Sequence, residues 1–146
     1  MIFEMRPLTV GDVTQVAELA KRVGPRPWSA ESFLAELEYG LCWVVAEGGE
    51  IRGFIAVRLL HDEWHLMNLG IDPVWRRRGL AREMLNKVIG ELQAKGGSPL
   101  LLEVRSGNEA AVALYKTSGF EVVGGRKGYY PSEFGAEDAL LMAFSL

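Results

Sequence analysis

Three consecutive arginines run up to a glycine in the segment Asp72-Pro73-Val74-Trp75-Arg76-Arg77-Arg78-Gly79-Leu80-Ala81-Arg82, where a strand pattern ends and an amphipathic helix begins. The first turn of a helix leaves backbone N–H groups without acceptors, and the helix dipole places partial positive charge there. Gly79 and Ala81 are small enough to let oxygen atoms approach the backbone closely. With arginines on either side, the segment has the chemistry of an anion site suited to a pyrophosphate. The dipole contributes only ~0.3–1 kcal/mol per charge when exposed, so tight binding needs several N–H bonds and contacts elsewhere along the ligand, which implies a long ligand. A solvated basic face is the competing reading. The Gly-Lys-Ser/Thr ending of a nucleoside-triphosphate loop is missing, as is the spaced triple glycine of a dinucleotide fold.

Glu103 is the one charged residue in the apolar run 100–104. Burial there is expected to raise its pKa and make it a candidate general base, against the alternative of an ion pair with an arginine such as Arg105. Tyr115 follows Asn108 by two helical turns, which places both on a similar helix face. The other role for Tyr115 is core filling beside Leu114 and Phe120. His61 and His65 stand four apart in a segment read as extended, ~13 Å, too far for two ligands of one zinc, so no metal site is expected. Cys42 has no internal disulfide partner and sits in an apolar run, the setting of a buried, unreactive thiol.

The elements that must position these groups are punctuated clearly. Residues 2–7 read as an opening strand, and Thr9 with Asp12 caps a helix that turns Val13, Val16, Ala17 and Ala20 inward and stops at Gly24-Pro25. Ser29 is the N-cap of a second helix, with Trp28 packing on Phe33 as a hydrophobic staple. Strands at 41–47 and 51–60 form an antiparallel pair across Gly48-Gly49, and a third at about 64–71 ends at Asp72-Pro73. Leu80, Ala81, Met84, Leu85, Val88, Ile89 and Leu92 share one face of a long helix that leads to strand 100–104, parallel to its predecessor through a right-handed crossover. Asn108 caps a helix through Lys116, Gly119 supplies its left-handed end, Phe120 begins another strand, and a strand at about 139–144 closes the chain. The order predicts an α/β fold: a mixed, mostly antiparallel central sheet with one parallel strand pair and helices on both faces.

With 146 residues, 49% of them hydrophobic and 24% charged, the chain fits one domain spanning 1–146 whose core needs no disulfide or metal. A net charge of −3 argues against a protein that coats nucleic acid. The N-terminus lacks a basic stretch followed by a long apolar core, and no apolar run approaches the ~20 residues that span a bilayer. The expectation is a soluble, cytoplasmic protein with neither a nucleic-acid nor a membrane partner.

Arg76-Arg77-Arg78-Gly79-Leu80-Ala81 resembles the Arg/Gln-x-x-Gly-x-Gly/Ala motif of the GNAT family of N-acetyltransferases, which grips the pyrophosphate of acetyl-coenzyme A. Further matches occur in order: Asn68-Leu69-Gly70-Ile71-Asp72-Pro73, Leu102-Glu103-Val104-Arg105, Asn108, Ala113-Leu114-Tyr115-Lys116, Ser118-Gly119-Phe120, Gly128-Tyr129-Tyr130-Pro131 and Glu137-Asp138-Ala139. The resemblance covers most of the chain from Trp28 to Phe144. It implies the GNAT fold, acetyl-CoA as cosubstrate, and a branch that acetylates the N-terminal amine of a small-subunit ribosomal protein. By the same resemblance, Leu69, Gly70 and Ile71 match the strand end that pairs with the pantetheine arm, with an N–H near Ile71 on the thioester carbonyl. Arg77, Arg78, Gly79, Leu80, Ala81 and Arg82 match the pyrophosphate loop, Asn108 a cofactor contact, and Tyr115 the general acid. Ala81 stands where glycine is commoner, and Gly70 where a small alanine is usual.

An amine attacks a thioester only when neutral. Deprotonating an α-amine of pKa about 7.7–8.0 at pH 7 costs roughly 1 kcal/mol, against about 4.6 kcal/mol for a lysine, which favours a protein or peptide N-terminus as acceptor. Glu103 is expected to take the proton and the Tyr115 hydroxyl to hydrogen-bond the departing thiolate. Tyr129 and Tyr130, with Glu133, Glu137 and Asp138, are expected along the peptide groove. Direct transfer needs no enzyme nucleophile, so Cys42 has no role. Two alternatives stay open: a lysine or small-molecule acetyltransferase of the same fold, and a non-catalytic coenzyme A-binding module.

Overall fold

The computed structural model describes residues 3–24, 26–132 and 135–146, without the side chains of residues 131, 132 and 135. β1 (Glu4–Pro7) leads through a 3-10 turn into α1 (Val13–Val23) and α2 (Ala30–Tyr39). The meander β2 (Leu41–Glu47), β3 (Glu50–Leu60) and β4 (Glu63–Ile71) follows, then α3 (Leu80–Lys95), β5 (Leu100–Arg105), α4 (Glu109–Thr117), β6 (Glu121–Ser132) and β7 (Gly135–Phe144). The seven strands form one sheet in the order β1-β2-β3-β4-β5-β7-β6, and β4–β5 is its only parallel pair among the described residues. The predicted element order and fold class are those observed.

Local chemistry explains most boundaries. Gly48 and Gly49 both have positive φ, 59° and 84°, and close the tight β2–β3 hairpin. Ser29 Oγ accepts the Ser32 N–H at 3.2 Å, and the Trp28 and Phe33 rings meet edge to face 5.3 Å apart, as cap and staple require. The first strand is described from Glu4, so residue 2 of the predicted strand lies outside the described residues, as does Pro25 after α1. His61 falls in the β3–β4 turn and His65 in β4.

Strand alternation divides the core between the two faces. Ile55 and Val57 of β3 join Leu80, Met84, Leu85, Val88 and Leu92 of α3 and Tyr115 of α4. Phe54 and Ala56 turn the other way to Val16, Ala20 and Phe33 of α1 and α2. Glu36, buried on α2, pairs with Arg58 of β3 and fixes that helix to the sheet.

Two irregularities shape the sheet centre. Val57 pairs with Leu66 and Ala56 with Asn68, so Met67 is the extra residue of a β-bulge, and Leu66 and Leu69, three apart, both reach the α3 side. Beyond the bulge β4 leaves its parallel neighbour. Only Trp64–Leu100 and His65–Leu101 pair between β4 and β5. The outer neighbours hold on to the end, with β3 registered to Ile71 and β7 to Arg105, so a V-shaped opening separates two firmly held strands. Gly70 lies on one arm of that opening. A Cβ there would stand 2.7 Å from the Phe54 ring and 2.9 Å from Val23 Cγ1, closer than packed atoms tolerate. Gly70→Ala is therefore expected to cost about 1–3 kcal/mol of stability, read as a lower urea midpoint; an unchanged midpoint would mean the Phe54 ring has room to move.

Candidate active site

The loop between β4 and α3 is built around buried Asp72. Its Oδ1 accepts the Val74 N–H at 3.1 Å, and its Oδ2 lies 3.3 Å from the Arg22 guanidinium. Arg76 points back into the protein, donating from Nε to the Ile71 carbonyl at 3.3 Å and from Nη2 to the Val23 carbonyl at 3.1 Å. Arg77 and Gly79 adopt left-handed backbone conformations, φ 63° and 79°, which curl the chain into the helix. The first hydrogen bond of α3 runs from Glu83 N–H to the Gly79 carbonyl at 3.0 Å, so the N–H groups of Gly79, Leu80, Ala81 and Arg82 have no acceptor within the helix. Leu80 buries its side chain in the core and Ala81 packs beside it, so these two contribute backbone alone. The Arg78 guanidinium lies 4.6 Å from the Trp75 ring centroid, with that of Arg52 at 4.8 Å from the same ring. Arg82 reaches Thr117 Oγ1 at 2.7 Å and ties α3 to the end of α4. Arg77 has no protein partner among the described residues. The predicted loop thus brings unpaired backbone amides together with Arg77 and Arg78, a set of groups that could hold an anion, while Arg76 and Arg82 also make hydrogen bonds within the protein.

The arm of β4 supplies an unpaired edge. Asp72 N–H bonds to the Arg52 carbonyl at 2.8 Å, which makes that a hydrogen-bonded pair and Ile71–Gly53 the non-bonded pair beside it. Ile71 and, two residues back, Leu69 therefore turn their backbone groups toward the opening, as an extended ligand arm requires. Asn108 precedes α4 and its Oδ1 accepts the Ala111 N–H at 3.3 Å. Its side chain is exposed, whereas Tyr115 two turns along is buried.

Glu103 and Tyr115 lie on opposite faces of the sheet. Leu102 and Val104 point into the α3–α4 core, so Glu103 between them points to the other face. The expectation of a buried carboxylate is corrected: no helix covers that part of the sheet, and the Glu103 side chain is 31% exposed. Its partner is Arg126 of β6, 3.3 Å away, and not Arg105, which shares its face but pairs with Glu137 at 3.5 Å and stacks 4.4 Å from the Tyr130 ring centroid. Tyr115 comes from the α4 side, its ring edge to face with Phe120 at 5.6 Å. It is therefore both core and candidate site. Burial pushes its hydroxyl up to about 12, and that hydroxyl has no hydrogen-bond partner among the described residues.

Two cavities open on the Glu103 face. One of about 320 Å³ is lined by α1, the segment after it, Asn68 and Arg105. The other, about 740 Å³, includes Glu103, Arg126 and Tyr129, and Tyr130 and Arg26 border both. Tyr130 therefore lines both cavities and Tyr129 the larger one. Glu137 and Asp138 do not line it. Glu137 Oε1 accepts the Gly107 N–H at 2.7 Å and Asp138 Oδ1 the Gly128 N–H at 2.9 Å, so both carboxylates hold turns together. Glu133 lies outside the described residues. Sequence reasoning did not single out Arg126 or Arg26, which line the same cavity as Glu103, because only strand register and loop placement bring them there. Cys42 is buried on the α1–α2 side, where burial pushes its thiol up to about 12, far from nucleophilic chemistry at neutral pH.

Comparison with known proteins accounts for this arrangement. Residues 13–120 match the model of the acetyltransferase (GNAT) family. The Escherichia coli [ribosomal protein bS18]-alanine N-acetyltransferase is 35% identical over 140 residues, covering 95% of each chain. The crystal structure of the ribosomal-protein-S18-alanine N-acetyltransferase from Escherichia coli superposes with a TM-score of 0.91 at 34% identity, over 99% of this chain and 94% of that one. Arabidopsis thaliana NAA60 in complex with acetyl-CoA shares the fold, with a TM-score of 0.87 at 18% identity over 99% of each chain. The anion cradle before α3, the splayed parallel pair and the comparisons lead to one conclusion: this chain belongs to the GNAT family of acetyltransferases.

Proposed function

We propose that the protein transfers the acetyl group of acetyl-CoA to the N-terminal α-amine of a protein, a small-subunit ribosomal protein being the natural acceptor, with Glu103 as general base and the Tyr115 hydroxyl, the candidate general acid, as hydrogen-bond donor to the departing thiolate. The observation that supports this reading is the opening between β4 and β5 ahead of the α3 N-terminus, with the Glu103 carboxylate on the sheet face that α3 and α4 leave bare. The relatives named for acetylating the alanine of ribosomal protein bS18 support the choice of acceptor.

In this reading the pyrophosphate rests on the N–H groups of residues 79–82 with Arg77 and Arg78. The pantetheine arm runs along Leu69, Gly70 and Ile71 past Asn108, and the Ile71 N–H polarises the thioester carbonyl. The acceptor arrives on the Glu103 face beside Tyr129 and Tyr130, whose rings pack edge to face on each other. Its nitrogen forms the new bond to the acetyl carbon as the carbon–sulfur bond breaks. Glu103 takes the proton lost by the amine, directly or through one water. With its pKa near 12, Tyr115 stays protonated throughout the working range. Full proton transfer to a thiolate of ordinary pKa ~8.5 is uphill by ~5 kcal/mol, so its contribution is a hydrogen bond that strengthens as negative charge develops on sulfur.

Mass spectrometry of acetyl transfer to a peptide panel tests the reading: alanine-first peptides with free α-amines are expected to react, and α-acetylated peptides carrying free lysines are not. A strong preference for ε-amines would overturn the acceptor assignment. For the cradle, Arg77→Ala and Arg78→Ala are each expected to weaken coenzyme A binding about tenfold by calorimetry, the loss of one charge-assisted contact, with peptide KM unchanged. Unaltered affinity in both variants would move the pyrophosphate elsewhere.

A further inference from the structure

The arginines around the turn into α3 are held in different ways. Arg76 uses its donors on two backbone carbonyls, and Arg82 directs its own to Thr117 and Ser118. Arg52 of β3 lies among three carboxylates, Glu47 at 3.5 Å, Glu50 at 3.2 Å and Asp72 at 3.9 Å. Arg78 has no hydrogen bond or ion pair to the protein among the described residues. What it touches is a ring: its guanidinium carbon lies 4.6 Å from the Trp75 centroid. A guanidinium over an aromatic face is held by the quadrupole of the ring, so the N–H donors at its edge stay free. A carboxylate partner would occupy those donors and cancel the charge. The ring is itself fixed. Trp75 is half-buried against the α3 core, Arg52 lies over it at 4.8 Å, and Phe3 meets it edge to face with centroids 5.5 Å apart. Its own N–H bonds to the Asp72 carbonyl at 2.8 Å across the 3-10 turn Pro73–Trp75.

We propose that Trp75 is a positioning residue for the cosubstrate: its ring holds the Arg78 guanidinium on the turn that opens α3, donors free, before the ligand arrives. The proposal rests on the reading that this turn receives the pyrophosphate, and it adds the side chain that prepares one of the receiving groups. An exposed arginine samples many rotamers, and fixing one of them on binding opposes affinity. Contact with the ring confines Arg78 beforehand, so less freedom is lost when an oxyanion is gripped. Arg77 has no such contact and loses its freedom in full. Backbone geometry decides which arginine the ring serves. The chain turns at Arg77, where φ is 63°, and residue 78 comes back over residue 75. Two guanidiniums on one ring repel each other, but the three carboxylates beside Arg52 offset its charge, and Arg78 keeps its own for the ligand.

Calorimetry of coenzyme A binding to the full chain tests this in Trp75→Leu, Trp75→Phe, Arg78→Ala and the double variant Trp75→Leu/Arg78→Ala. Leucine keeps an apolar side chain in the packing without a π face, and phenylalanine restores the face. Trp75→Leu is expected to weaken coenzyme A binding about fivefold and Trp75→Phe less than twofold. The double variant is expected to bind within about twofold of Arg78→Ala alone, because the ring acts through the guanidinium. A merely structural role for Trp75 would instead weaken binding by the same factor whether or not Arg78 is present. Losses that multiply in the double variant therefore overturn the proposal, as does a phenylalanine variant no better than leucine. Trp75→Met, whose flexible thioether fills the space without a ring, carries the same expectation and replaces Trp75→Leu if that variant does not fold. Wild-type affinity in Arg78→Ala removes the pyrophosphate reading for that arginine, and the role of Trp75 with it. Weak binding by Arg78→Ala beside unaffected Trp75→Leu strikes the positioning role alone.

Discussion

Glu103→Gln is expected to lower kcat/KM for an alanine-first peptide by about 10²–10³-fold, within the range that a positioned proton acceptor contributes, while coenzyme A affinity stays within about twofold. The variant keeps the shape of the side chain and can still receive a hydrogen bond from Arg126, but it cannot take a proton. The loss is expected to be steepest at low pH. With an α-amine pKa of about 7.7–8.0, more of the acceptor is protonated there and more of each turnover depends on a base. Steady-state kinetics from pH 6 to 9, with calorimetric binding of coenzyme A on the same samples, checks both halves. Kinetics indistinguishable from the wild type would remove Glu103 as the base. The ion pair with Arg126 does not argue against the role, because Arg126 is itself exposed and a pair open to solvent holds its partner weakly.

Tyr115→Phe is the second large effect, about 10²-fold in kcat with little change in either KM, since its hydroxyl acts where charge develops on sulfur and not on the bound substrates. Its ring packs against Phe120 in the core, so phenylalanine preserves the packing and the thermal midpoint is expected to stay near that of the wild type. The sign of the pH effect follows from burial. A hydroxyl pushed up to about 12 remains neutral far above the working range, so wild type and variant are expected to show the same alkaline behaviour up to pH 10. A kcat close to wild type would reduce Tyr115 to core filling. An alkaline limb present only in the wild type would show that the tyrosine ionises in turnover.

The two catalytic candidates were legible in sequence to different depths. Tyr115 was visible both as a core aromatic and as a candidate hydroxyl at the ligand, and the structure shows the first, its ring laid on Phe120 with the oxygen left without a protein partner among the described residues. Glu103 was visible as the odd charge in an apolar strand, yet the inference of burial failed. An apolar run on β5 reflects one face packed on α3 and α4 and the other lining an open trough, and a run of that kind reads the same whether the second face is covered or bare. Glu137 and Asp138 were read as groove carboxylates because acidic residues near tyrosines suggest ammonium binding. Their short contacts with the Gly107 and Gly128 N–H groups belong to turns that local sequence does not announce.

What the sequence by itself determined is the part governed by neighbours along the chain. Ser29 and Asn108 cap their helices, Gly48-Gly49 closes a hairpin, the arginine–glycine turn opens α3 with unpaired amides, and the element order follows. These depend on backbone conformation and hydrogen bonds within a few residues, so residue type and spacing suffice. Only the tertiary structure decided that Glu103 and Tyr115 lie on opposite faces of the sheet, that Arg126 and not Arg105 meets the carboxylate, and that the carboxylate lines an open cavity. Those outcomes depend on the bulge at Met67, on strand register and on which strands the helices leave bare. They arise from contacts between residues far apart in the chain, where no local preference discriminates among the partners packing could bring together.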